Sequence, residues 1–436
     1  MKFYDREIEI NELKRLDNLS ERVAQFTVIM GRRRIGKTTL LKEAFEGREM
    51  LYFFVSKKSQ PLLCADYQHI VEDVLGIAIH GQITNFSMLL REVMIYSQTH
   101  KVTLVIDEFQ RLAEIDSSII GEIQNVWDAF QSSSHIHLVA CGSIYSMMRK
   151  LFEDKKEPLF GRKTARIDLK PFSIGVMKRI LRDYHPDFTS EDLLMLYALT
   201  GGVAKYVAYL MDGGYVTKEK MLRAVCSPTS IFLDEGSELL IGEFGRQYQV
   251  YFSILQLVAR GMTSQSEIDS IIEKNTGRYL NTLEEEYSFL EKRRPMWAKA
   301  NSIGVKYFIS DCFLNFWFRF VESNRSMIEL GKYDLLYEYI SQNWEQYSGM
   351  VLGKYFRQMY SESSRVTEVS HWWDKKGEDE IDLIALEALD KKATVAEVKK
   401  NIRRYQPEKL SEKYQFIKQH LRGYEVTLKG LSMEDM

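Results

Sequence analysis

Two groups of residues in this 436-residue chain have the types and spacing to do chemistry. The first begins at "GRRRIGKT", where Gly31, Gly36, Lys37 and Thr38 fit G-x-x-x-x-G-K-[ST]. In such a loop the backbone N–H groups of Gly31, Arg32, Arg33, Arg34, Ile35 and Gly36 wrap phosphate oxygens. Lys37 reaches the terminal phosphates, and the Thr38 hydroxyl, with Thr39 beside it, sits where Mg²⁺ binds. Asp107 and Glu108 complete the group: Asp107 supports the metal, and Glu108 orients and polarises an attacking water. The bland alternatives are a chance loop match and a solvated acidic turn.

The second group lies in "EIDLIALEALDKKATVAEVKK". Asp382 and Glu397 can hold a divalent metal, and Lys399 can steady charge on a phosphorus centre. Glu345, on a preceding helical stretch, is a further candidate ligand. The same residues can equally be surface charges on a hairpin.

These residues need elements to position them. "FTVIM" reads as a strand entering the loop, and "LLKEAF" continues as a helix. Val102 to Ile106 read as a buried parallel strand ending at the acidic pair. "HIHLVACGS" is a third, which sets Ser143 at a strand end, where ligands sit in such sheets. Ser143 is either a phosphate-sensing residue or part of a small-residue turn. Arg162, in "LFGRK", is a candidate γ-phosphate arginine, from this chain or a neighbour, or an ordinary surface residue. Gly201-Gly202 mark a turn before a helix.

Downstream, Ser264 to Glu267 read as a capped helix start. Leu280, Leu283, Tyr287 and Leu290 fall on one helical face, and "KYFISD" is a short strand. The unit reads as a winged helix. It either contacts DNA, with Arg278, Lys292, Arg293 and Arg294 placed for phosphates, or packs between domains; Glu284, Glu285 and Glu286 oppose DNA. "FLNFWFRFV" reads as core or interface. In the tail, Glu397 and Lys399 project from one strand face. Residues 391–429 carry eleven Lys and Arg against four Glu, compatible with nucleic acid or with a solvated helix.

The totals bound the rest. The length predicts two to four domains. A net charge of −2 gives no global field toward nucleic acid or membrane. Cys64, Cys141, Cys226 and Cys312 are scattered, which argues against zinc and disulfides and for a reducing cytoplasm. No stretch reads as a membrane span or a signal peptide.

"YDREIEINEL", "GRRRIGKTTL", "VIDEFQ", the Gly142-Ser143 pair, "LFGRK…LKPFS" and "TGGVAKY" together resemble the archaeal-type family of AAA/STAND-like P-loop ATPases, found also in bacteria. Ala204 stands where that family has proline, and Tyr206 is kept. The resemblance covers about the first half and implies ATP as the nucleotide, with Ser143 as its sensor residue. The tail resembles the PD-(D/E)xK nuclease core, a module many members of that family carry, although Glu380-Ile381 replace the proline-type lead-in.

The expected architecture is therefore α/β. A P-loop parallel sheet with a helical lid spans residues 1–215, a winged helix 216–325, and a small nuclease-like α/β domain 326–436. The expected activity is that of a Mg²⁺-dependent ATPase acting as a nucleotide-driven switch; the alternatives are an ATP-regulated DNA endonuclease and a DNA- or protein-binding regulator with an inert tail. The expected partners are ATP and ADP, with DNA, another protein or a second copy as candidates, and no membrane.

Overall fold

The computed structural model describes residues 1–244, 248–298, 304–374 and 377–436. Two compact units emerge, one of Asp5–Lys170 and one of Pro171–Met436 with Met1–Tyr4. Among the described residues, no helix is long and apolar enough to cross a membrane.

The first unit is built on five strands: β1 (Gln25–Met30), β2 (Leu51–Phe54), β3 (Val102–Asp107), β4 (Ile136–Gly142) and β5 (Ala165–Asp168). Their order is β2-β3-β4-β1-β5, every pair parallel. β1, β3 and β4 are buried along their whole length, because helices cover both faces and leave no side for polar alternation. Phe26, Phe53, Phe86 and Trp127 fill the core.

Register is what matters for function. Met30 pairs with Gly142, Asp107 with Cys141, and Phe54 with Asp107. Four strands thus finish level, and whatever follows them meets at one edge.

The first helix (Glu7–Leu19) is tied to this sheet by a buried carboxylate. Asp17 accepts from Thr103 at 2.7 Å and pairs with Lys101 at 3.0 Å and with Arg48. The His137 ring lies between Asp17 and the Thr27 hydroxyl.

In the second unit the helix Ser190–Thr200 is buried from Asp192 onward. It joins the long helix Tyr333–Ser361 through Tyr197 to Gln358 and Trp344 to Glu191, each 2.8 Å. The helices after Lys170 therefore cluster with the later chain. Gly202, at φ 80°, makes the turn before Ala204–Asp212; that helix starts at Ala204 without the family's proline.

The middle segment has helices Tyr248–Ala259, Gln265–Ile272 and Gly277–Asn281, then an antiparallel pair, β6 (Leu290–Arg293) and β7 (Lys306–Ile309). The Ser264–Glu267 capping box is formed. The expected helical face breaks after Leu283: the helix widens into a π-turn over Thr282–Glu286, Ser288 takes φ 56°, and Leu290 opens β6. The aromatic run is core, with Phe313, Phe316, Trp317, Phe318 and Phe320 all buried.

The tail runs from the long helix through β8 (Glu368–Trp373), β9 (Glu380–Glu387) and β10 (Lys392–Val398) to the helix Pro407–Ile417 and β11 (Glu425–Leu431). The sheet order is β11-β10-β9-β8, with β10 and β11 parallel and the other pairs antiparallel. Ile384, Leu386 and Val395 pack against Leu410 and Ile417 of the tail helix.

Candidate nucleotide site and the tail carboxylates

The loop after β1 turns into the helix Lys37–Ala44 through Gly36 at φ 97°, a conformation that suits glycine alone without strain. Arg34 also has positive φ, at 69°. Ile35 is buried and anchors the loop, while Thr38 and Thr39 face outward at the helix start. The buried Lys37 ammonium donates to the carbonyls of Gly31 at 2.6 Å and Arg32 at 2.9 Å. It is thereby folded under its own loop, where a phosphate would be held. The loop also packs tightly at its start: a side chain on Gly31 would meet the Leu169 carbonyl at 2.9 Å.

Across the sheet edge, the Thr38 hydroxyl lies 3.3 Å from the Asp107 carboxylate, to which it donates. The Tyr52 hydroxyl donates to the same oxygen. Burial, and then that bond, raise the Tyr52 hydroxyl above its ordinary pKa, so it stays a donor. The other Asp107 oxygen accepts from the Glu108 N–H at 2.9 Å.

Glu108 sits at φ 58°, a region that non-glycine residues avoid and that concentrates at functional sites. Its carboxylate accepts from Ser143 at 2.9 Å and Gln110 at 2.6 Å, with Arg111 at 3.7 Å. Gly142, before Ser143, has no room for a side chain, because a Cβ there would meet Met148 and Gln110 inside 3 Å.

The residues present suit a nucleotide with a divalent ion. A hydroxyl and a carboxylate supply hard oxygen donors, and the helix start supplies N–H groups for phosphate. Tyr52, Gln110 and Arg111 were missed from sequence. Tyr52 belongs to no spaced motif and reaches Asp107 only because β2 and β3 are neighbours.

Arg162 is placed otherwise than expected. Its guanidinium pairs with Asp128 of the helix Ser118–Phe130 at 3.0 Å and with the Phe160 carbonyl at 2.9 Å. Those bonds hold it on its own surface loop, away from the role of a γ-phosphate arginine within this chain.

The tail carboxylates also need correcting. β9 and β10 pair as the alternation predicts. A register shift against β8 inserts an extra residue into β9 near Asp382, so Ile381 and Ile384 both pack on the tail-helix side. Asp382 then accepts from the Val398 N–H at 2.8 Å and lines a cavity with Arg357 of the long helix. Glu397, buried, pairs instead with Lys413 of the tail helix at 2.5 Å and with Lys399 at 3.6 Å. Glu345 is exposed and pairs with Lys400 at 2.7 Å. Among the described residues, no group of three or more His, Cys, Asp or Glu is placed to hold a metal. Lys413 came from no motif, since the helix packing alone brings it to Glu397.

Comparison with known proteins follows this division. Residues 3–210 match a family model described as an ATPase domain predominantly from Archaea. Residues 317–410 match one described as "Archaea bacterial proteins of unknown function". An uncharacterized protein of Methanocaldococcus jannaschii is 29% identical over 407 residues, covering 91% of this chain and 87% of that protein. Among solved structures, a Walker-type ATPase of Pyrococcus abyssi superposes with a TM-score of 0.53 at 18% identity, over 73% of this chain and 96% of that one. The ORC2 protein of Aeropyrum pernix, in ADPNP–ADP complexes, gives 0.50 at 15% identity, over 76% and 95%. At these identities the structures speak for the fold alone, and the ATPase-domain match speaks for residues 3–210.

Proposed function

We propose that the chain is a Mg²⁺-dependent ATP-binding protein that hydrolyses ATP slowly and acts as a nucleotide-driven switch. The observation that carries this reading is the approach of the Thr38 hydroxyl to the Asp107 carboxylate, 3.3 Å apart across the sheet edge, beside the buried Lys37 amine. In this reading residues Gly31 to Thr39 hold the phosphates, and Thr38 and Asp107 hold the ion. When bound, the ion neutralises charge on the phosphate oxygens. Lys37 exchanges its loop carbonyls for phosphate oxygens. Glu108 takes the proton of the attacking water, and Ser143 orients it.

The remaining domains are read as a winged helix over 216–325 and a nuclease-like fold over 326–436. The helix, three strands, helix and strand of the tail support the second assignment. The separate commitments of Asp382 and Glu397 favour a tail that serves as a scaffold and binds, in place of cutting DNA. DNA or a protein is then the partner the switch controls. Four buried free cysteines fit a reducing, cytoplasmic setting.

The test is ATP binding and turnover by the full chain. Lys37→Ala abolishes nucleotide binding. Glu108→Gln keeps binding and loses turnover by about a hundredfold or more. Equal binding by wild type and Lys37→Ala would overturn the assignment.

A further inference from the structure

The second unit holds a cavity of about 720 Å³ that the nucleotide site does not use. Its walls are the Arg260–Thr263 turn, β7, one face of the long helix, and β8 to β10 near Asp382. That volume is in the range of small-ligand sites. Gly349 and Gly353, one turn apart in the long helix, line it. Glycine inside a helix costs about 1 kcal/mol relative to alanine. At Gly349 packing does not demand it, because a Cβ there would meet nothing within 4 Å. The helix gives up propensity and gains open space.

The walls are basic. Arg260, Arg293, Lys306, Arg319, Lys354 and Arg357 line the cavity against Glu380 and Asp382. Among the described residues, Arg293 alone of the six has a carboxylate partner, Glu291 at 2.8 Å. Three of the others rest on neutral groups: Arg357 donates to the Asp382 carbonyl at 3.1 Å, Lys354 to the Ser310 carbonyl, and Lys306 lies over the Trp373 ring. One Asp382 oxygen accepts from the Val398 N–H, and the carboxylate remains the acidic group nearest Arg357 on this wall. Burial, and then Arg293, push the Arg357 guanidinium down to about 10, against the opposing pull of the Glu291 and Asp382 carboxylates.

One further group lacks a partner. His371 is 7% exposed, stacks on Trp373 with ring centres 4.8 Å apart, and lines the same cavity. Its Nε2 makes no hydrogen bond among the described residues. A buried polar atom left unmatched at a cavity wall suits an absent acceptor.

We propose that this cavity binds a phosphate-bearing anion, its oxygens taken by the arginines and lysines around His371. Phosphate suits the walls better than a single carboxylate. It offers several acceptor oxygens to several guanidinium forks at once. The phosphate belongs either to a free nucleotide or to an oligonucleotide backbone.

The test uses the full chain carrying Lys37→Ala, which silences the P-loop, with calorimetric titration of AMP, adenosine and a short single-stranded oligonucleotide. AMP or the oligonucleotide binds, and adenosine does not. Arg357→Gln and, separately, Gly349→Leu each weaken that binding at least tenfold. Gly349→Leu fills the cavity without removing charge and raises helix propensity, so it decides the matter if Arg357→Gln fails to fold. Binding of AMP assigns the site to a free phosphate ester, and binding of the oligonucleotide alone assigns it to a phosphodiester backbone. No binding by either probe, or affinity unchanged in both variants, overturns the proposal.

Discussion

The Ser143 hydroxyl donates to the Glu108 carboxylate across 2.9 Å, joining the ends of two neighbouring parallel strands. Gln110 holds the same carboxylate oxygen from the following helix. Glu108 is thus held by two side chains on a backbone that is itself strained.

Removing one of those neighbours is expected to affect turnover more than binding. Ser143→Ala lowers kcat for ATP about tenfold and leaves KM within about twofold, since the hydroxyl orients a base and carries little ground-state binding. Steady-state ATPase assays separate the two. An equal rise in KM with kcat unchanged would assign Ser143 to nucleotide binding instead.

Asp17 ties the first helix to the sheet. Burial raises its pKa, but bonds from His137, Thr103 and Lys101 outweigh that and leave it well below the ordinary value. A carboxylate depressed in the folded state stabilises in full above its unfolded value of about 4, and loses that contribution as pH falls from there toward the folded value. Asp17→Asn is expected to cost about 3 kcal/mol at neutral pH. The gap to wild type narrows in urea titrations run at progressively lower pH. A gap that widens in acid would contradict the assignment.

Gly202 lies at φ 80° with the Phe172 carbonyl 2.3 Å from where a Cβ would stand. Gly202→Ala combines an unfavourable backbone region with a clash against main chain. The expected loss is about 3 kcal/mol, read as a lower midpoint in chemical denaturation. Gly76 has positive φ with open space around it, so Gly76→Ala loses only the conformational part, about 1 kcal/mol.

The tail makes a sharp case. With Asp382 bound to the Val398 N–H and Glu397 to Lys413, Mg²⁺-dependent nicking of plasmid DNA by the wild-type chain is expected to stay at background. Asp382→Ala should match it. Nicking that disappears in Asp382→Ala would show that the two carboxylates come together on substrate.

Much of the first site was legible in order of sequence, for a physical reason. Gly31 to Thr38 is contiguous, and its chemistry is local: a loop, a glycine at positive φ, and a helix start. Asp107 and Ser143 could be read because unbroken apolar runs ending in small or acidic residues mark buried parallel strands. Tyr52 could not, since its partner is chosen by which strand lies beside β3.

In the tail the alternation correctly paired β9 with β10, yet strand periodicity assumes an unbroken pleat. One extra residue in β9 reverses which face Asp382 serves, and no composition or spacing encodes that insertion. The positions of Lys413 and of the basic cavity follow from helices packing on the sheet, with long side chains brought together from stretches far apart in the chain. Sequence alone determined the buried strands and the local phosphate loop, though not the break that turns Leu290 from a helical face into β6. Tertiary structure decided which carboxylates meet, because convergence depends on register and on which face each side chain leaves.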